Sequence, residues 1–169
     1  MSGLRLAVDV AVPCRAWLEL CPDARHIART AARHGLGAAM PLARDWPMRV
    51  ELSIVLADDA EQRRLNREFR GHDRPTNVLS FGTAEPGLRA PPDAPLLLGD
   101  VVLAFETVAR EAAAQHKPLV DHLRHLVVHG VLHLLGHDHE AADAAAAMET
   151  LERSVLAKLG VPDPYRDTM

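Results

Sequence analysis

The stretch "PLVDHLRHLVVHGVLHLLGHDH", residues 118–139, decides how the chain is read. Apolar residues recur through it at helical spacing. Pro118 stands at its start and Gly136 near its end, so residues 118–136 are predicted to form one α-helix. On a helix turning ~100° per residue, His129 and His133 project from one face, one turn apart. Gly136 follows three residues later, where a side chain would crowd the two imidazoles. Glycine also takes the left-handed backbone that lets the chain leave the helix and bring His139 back toward the same point.

Three neutral imidazoles meeting at one point suit a single tetrahedral Zn²⁺ with its fourth position open. His129, His133 and His139 are therefore the predicted ligands of one ion per chain. The spacing H-x-x-x-H-x-x-G-x-x-H is that of a metallopeptidase zinc motif with one departure. The glutamate that follows the first histidine there is replaced by Gly130. Of the ten histidines, seven lie between His116 and His139, so clustering alone does not make a ligand. His122 is expected at the surface, His125 in a structural role beside the triad, and His137 pointing away from it. Asp138 is placed to orient an imidazole N–H.

A zinc peptidase needs a carboxylate beside its metal, and Gly130 cannot supply one. A phosphodiester substrate changes the requirement. Its cleavage calls for stabilisation of an anionic transition state, and arginine matches phosphate oxygens better than lysine does. The segment "QRRLNREFRGHDRPTN" (62–77) holds Arg63, Arg64, Arg67, Arg70 and Arg74. Arg63, Arg67 and Arg70 recur at helical spacing, and Arg74 sits in the turn beyond. The competing reading is a solvated helix face balanced by Asp58, Asp59, Glu61 and Glu68.

Around these segments the chain alternates in type. Strands are predicted at 4–12, 48–57, 78–81 and 96–105, from alternating or continuous apolar runs rich in β-branched residues. Gly99 in the last marks a bulge or a close backbone approach. Helices are predicted at 22–37, ending at Gly35 and Gly37, then at 58–69, 106–116, 118–136 and 140–160. The segment 58–69 has acidic residues in its first turn and arginines later, the order a helix dipole favours. The expected fold is mixed α/β: a single domain over residues 1–169, with a small, mainly four-stranded mixed sheet. A helical block packs on one face of that sheet and carries a zincin-like histidine helix.

Composition sets the outer limits. The 169 residues are 48% hydrophobic and 25% charged, a globular profile able to bury a core, with aromatics at only 4%. The net charge of −4 excludes nucleic-acid binding by bulk electrostatics and leaves only a local basic patch. Cys14 and Cys21 form no framework or C-x-x-C pair and are expected as small buried hydrophobes in a reducing compartment. No apolar run approaches the ~20 residues that span a bilayer, so a cytoplasmic location is expected.

Four segments together carry a resemblance. "NREFRGHDRPTNVLSF" (66–81), "LLGD" (97–100), "HGVLHLLGHDH" (129–139) and the tail "LGVPDPY" (159–165) resemble the YbeY family of bacterial endoribonucleases. Their order along the chain is also the family's. Two departures are His137, where the family usually has an aromatic residue, and Ser-Phe-Gly in place of Ser-Phe-Pro. The resemblance implies a zinc-dependent, single-strand-specific endoribonuclease of ribosomal RNA maturation and ribosome quality control. It implies His129, His133 and His139 as metal ligands and Arg70 as the catalytic or RNA-binding arginine. Arg70 and His129 are then the expected catalytic residues, and Arg67, Arg70 and Arg74 the expected substrate contacts. Single-stranded RNA and ribosomal subunits or their associated proteins are the expected partners. The alternatives are a peptidase-like zinc hydrolase with an unusual base, and a non-catalytic zinc-containing module that binds a ribosomal partner.

Overall fold

A computed structural model describes residues 5–39, 49–82, 94–137 and 141–165. Strand β1 (Arg5–Ala11) leads through a short helix α1 (Ala16–Leu20) and a long helix α2 (Ala24–Ala39) to β2 (Arg49–Ala57). Helix α3 (Asp59–Arg70), β3 (Val78–Gly82) and β4 (Leu96–Ala104) follow. Helices α4 (Phe105–Ala114), α5 (Leu119–Leu134) and α6 (Ala142–Lys158) complete the order. The four strands form one mixed sheet in the order β1-β2-β4-β3, with β1, β2 and β4 parallel and β3 antiparallel to β4.

Alternation along β2 sends Val50, Leu52, Ile54 and Leu56 into the core. They meet the small buried face of α2 (Ala28, Ala31, Ala32, Leu36) and the apolar face of α5 (Leu123, Val127, Val128, Val131). The expected end of α2 at Gly35 and Gly37 is not observed, because the helix runs on to Ala39. Gly35 is buried, and a Cβ there would lie 3.5 Å from Val131 Cγ1. Tertiary packing of α2 on α5 thus overrides the glycine's weak helix propensity. The short α1 had no sequence signal strong enough to mark it. It buries Trp17, whose Nε1 donates to the Ala57 carbonyl at 2.9 Å. Cys21 is buried, Cys14 is partly exposed, and both are free thiols.

The helices do not all lie on one face. Ser80 Oγ donates to the Gly130 carbonyl of α5, while the next side chain, Phe81, packs edge-on against Phe69 of α3. Successive strand residues point to opposite faces, so α3 covers the reverse side of the sheet at its β3–β4 end. Position 99 shows why glycine stands there. Its φ is +135°, and a Cβ would fall 2.0 Å from the Phe81 carbonyl oxygen. The β2–β4 register shifts at the same place, pairing Glu51 with Leu97 and Leu52 with Gly99. Among the described residues, no helix is long and apolar enough to cross a membrane.

Candidate metal centre and its arginine

Helix α5 carries four histidines on one face, at positions 122, 125, 129 and 133. The Nε2 atoms of His129 and His133 approach to 3.1 Å. Two nitrogens bound to one tetrahedral ion at about 2.0–2.1 Å stand roughly 3.3 Å apart, so this pair has the spacing of two ligands of one ion. The helix then ends as the sequence predicts. Gly136 adopts φ +96°, its N–H bonds the His133 carbonyl, and His137 N–H bonds the Leu132 carbonyl. The third expected ligand, His139, and Asp138 lie outside the described residues.

The glutamate absent from the motif has a packing explanation. A Cβ at Gly130 would stand 2.7 Å from Val101 Cγ1 and 3.1 Å from Ser80 Oγ. Position 130 faces the sheet at van der Waals contact, and a carboxylate side chain there has no room.

A different carboxylate serves the histidines. Glu152 of α6 is fully buried. Its Oε1 lies 2.6 Å from His129 Nδ1, and its Oε2 lies 3.0 Å from His125 Nε2. Its Oε2 also accepts the Tyr165 hydroxyl at 2.5 Å. Burial pushes the Glu152 pKa up, but the hydrogen bonds from His125, His129 and Tyr165 outweigh it and hold it down to about 2. An ionised carboxylate only accepts, so the His129 nitrogen facing it carries the hydrogen. That places the ring's lone pair on Nε2, the atom facing His133.

His125, His129 and Glu152 also bring ligand-type atoms within 4.8 Å of one another and could hold a metal ion. Within that group the 2.6 Å contact of Glu152 with His129 Nδ1 has the length of a hydrogen bond and is too short for two ligands of one ion. Of the two arrangements, the one with the spacing of two ligands of one ion is the His129 Nε2–His133 Nε2 pair.

The expected surface position of His122 is overturned. It is buried, with Nε2 2.9 Å from Glu111 Oε1. Glu111 also accepts from Asn77 Nδ2 at 3.0 Å. The His face of α5 looks inward toward α4 and α6, and burial pushes the His122 pKa down. Sequence reasoning missed Glu152 altogether. The signal was its place on the apolar stripe of α6, between Met148 and Leu156 at four-residue spacing, where an unpaired carboxylate would be costly.

The arginines divide into two groups. Arg63 pairs with Asp73 at 2.8 Å, with Arg67 a looser 3.9 Å from the same carboxylate. Arg64 is held between Glu61 and Glu68. Arg70 differs. Its Nη2 donates to the Ser80 carbonyl on the outer edge of β3, and its guanidinium lies 5.3 Å from the Phe81 ring centroid. Its charge is not spent on a carboxylate among the described residues. Because Ser80 Oγ also bonds the Gly130 carbonyl at 2.9 Å, Ser80 ties Arg70 to the turn of α5 that carries His129. Phe69 beside it is 69% exposed.

Arg74 is exposed, and its backbone is pinned because Asn66 Nδ2 donates to its carbonyl at 2.7 Å. The buried Gln62 accepts Thr76 N–H at 2.7 Å and donates to the Val102 carbonyl. Two inward amides of α3 therefore shape the Arg74–Asn77 turn.

A cleft of about 680 Å³ elsewhere on the sheet is lined by Asp9, Arg33, Arg49, Glu51, Ser53 and Asp100 among others. None of the site histidines or of the five arginines borders it.

This α/β scaffold with a histidine helix matches known proteins along most of its length. The family model described as Endoribonuclease YbeY covers residues 25–160. A relative from Paramagnetospirillum magneticum, named Endoribonuclease YbeY, is 57% identical over 165 residues, 96% of each chain. One of the same name from Azorhizobium caulinodans is 50% identical over 160 residues, covering 95% of this chain and 96% of the relative. A third, from Rhodopseudomonas palustris strain BisA53, is 45% identical over 167 residues, 99% of this chain and 94% of the relative. The chain belongs to the YbeY endoribonuclease family. A solution structure of a Thermotoga maritima protein shares the fold with a TM-score of 0.52 at 20% identity, covering 95% of this chain and 99% of that one.

Proposed function

We propose that this chain is a zinc-dependent, single-strand-specific endoribonuclease. Its proposed role is ribosomal RNA maturation, at the 3′ end of the small-subunit RNA, and ribosome quality control in the cytoplasm. Residues 1–169 act as one hydrolase domain, with ribosomal subunits and their associated proteins as partners. The observation that carries the reading is the 3.1 Å approach of His129 Nε2 to His133 Nε2. It is supported by Glu152, which turns the lone pair of His129 toward that gap, and by the family the chain belongs to.

In this reading His129, His133 and His139 hold one Zn²⁺, which when bound polarises water and phosphoryl oxygens. Arg70 donates to the phosphate oxygens and offsets the charge that develops as the ester breaks. Ser80 keeps Arg70 beside the histidine helix. Arg67 and Arg74 bind the flanking backbone of the strand. Phe69 and Phe81 offer ring faces to unstacked bases, which a duplex cannot present.

The test is cleavage of a single-stranded RNA and of a matched duplex by the zinc-loaded chain, with His133→Ala and Arg70→Ala in parallel. His133→Ala is expected to reduce bound zinc to near zero and abolish cleavage, while Arg70→Ala keeps the zinc and loses cleavage. A full complement of zinc in His133→Ala would refute the ligand assignment. Intact RNA with retained binding to ribosomal particles would favour a non-catalytic module.

A further inference from the structure

The tail "VPDPY" has no part in the chemistry above, yet it ends against the histidine helix. The geometry points to Tyr165 as a positioning residue for the metal ligand His129: its hydroxyl holds Glu152, and Glu152 holds His129. The inference rests on the proposed role of His129 as a ligand.

The tail reaches this place by a built path. After α6 the chain turns at Gly160, which has φ +78°, and the Val161 N–H bonds the Leu156 carbonyl. Val161 is buried against the core. Asp163 Oδ1 accepts the Tyr165 N–H at 2.8 Å and the Arg153 Nε–H at 3.2 Å. The Arg153 guanidinium lies 5.4 Å from the centroid of the Tyr165 ring. That ring also meets His125 edge-on, with centroids 5.7 Å apart. These contacts hold the tyrosine where its hydroxyl bonds Glu152 Oε2 at 2.5 Å.

The consequence follows from how many bonds hold the carboxylate. Glu152 is fully buried, so its carboxylate depends on hydrogen bonds from the protein. Oε1 is taken by His129, and Oε2 by Tyr165 and His125. Removing the hydroxyl leaves Oε2 with only the longer, 3.0 Å bond to His125 and loosens the hold on the carboxylate. The His129 ring then keeps its 2.6 Å contact to a less firmly oriented partner. Outer partners of this kind are commonly worth about 10–100-fold in metal affinity.

The experiment uses the metal-stripped full chain and measures Zn²⁺ affinity by competition with a chromophoric chelator. Tyr165→Phe removes only the hydroxyl and is expected to weaken Zn²⁺ binding about tenfold. Glu152→Gln is expected to weaken it at least as much. The double variant should bind no worse than Glu152→Gln alone, because Tyr165 acts through Glu152. The visible band of the Co²⁺-loaded chain, which reports ligand geometry, should change shape in Tyr165→Phe.

Zinc affinity of Tyr165→Phe within twofold of the unmodified chain overturns the inference. Additive losses in the double variant, or a loss matched by a fall in the metal-free melting temperature, also overturn it, because the tyrosine would then be only a packing residue. His133→Ala separates the two levels. If it abolishes binding while Tyr165→Phe does not weaken it, only the role of Tyr165 fails. If it leaves binding intact, the ligand assignment beneath it fails.

Discussion

Gly130 and Val101 are in such close contact that a single added carbon at position 130 would lie 2.7 Å from Val101 Cγ1. The contact sets the distance between α5 and the sheet and therefore the height at which His129 stands. Gly130→Ala must push the helix away or force Val101 off its rotamer. Overpacking of this kind costs about 1–3 kcal/mol. The melting temperature of Gly130→Ala should drop by several degrees, and calorimetry that finds it unchanged would show that the helix has slack the contact denies it.

Arg70 and its neighbours on α3 should separate cleanly in kinetics. Arg63 and Arg64 are engaged by Asp73 and by Glu61 and Glu68. Their replacement by alanine should change single-strand cleavage by less than about threefold, since exposed pairs contribute little. Arg70→Ala should lower it by roughly 10²-fold, the usual cost of losing one donor to a developing anion. Equal losses for all three would mean that the helix acts only as a diffuse basic surface.

Phe69 is a large apolar side chain left 69% exposed, edge-on to Phe81 with centroids 5.8 Å apart. As a stacking surface for a base, its loss should cost about 1–3 kcal/mol of binding. Fluorescence anisotropy with a short, non-cleavable single-stranded oligonucleotide tests this. Phe69→Ala should bind more weakly, Phe69→Tyr should bind normally, and duplex affinity should stay the same in both. Full affinity in Phe69→Ala would return the pair to a purely structural role.

His122 gives the fold a pH dependence. Burial, more than any other influence, pushes its pKa below the ordinary 6.5, against the opposing pull of Glu111. The unfolded chain therefore takes up this proton first as the pH falls. Stability from this group is complete above about pH 6.5 and is lost as pH falls from there toward the lower folded value. Denaturant unfolding of the metal-free chain between pH 7.5 and 5 should show this slope, and His122→Gln should flatten it. An equal slope in the variant would place the titration elsewhere.

Much of this was legible because it is local. Asp58 accepts the Glu61 N–H at 2.8 Å, and α3 runs from an acidic first turn to arginines in its last, as the charge order of its sequence predicts. Gly99 marks a close backbone approach because no Cβ fits there. The two glycines of α2 misled for the opposite reason. Gly35 is small in order to touch α5, a contact invisible in its own segment.

The same division runs through the site. Residues 129 and 133 share a face because helical geometry fixes the angle between positions four apart. Gly136 ends that helix because only a residue without a Cβ takes its left-handed turn cheaply. Sequence alone determined those features. Tertiary structure alone decided that Glu152 and Tyr165 stand behind His129, that Ser80 ties Arg70 to the same helix, and that His122 turns inward. Each of these joins segments far apart in the chain. Such contacts depend on which faces meet when the core closes, and a local repeat does not encode that choice.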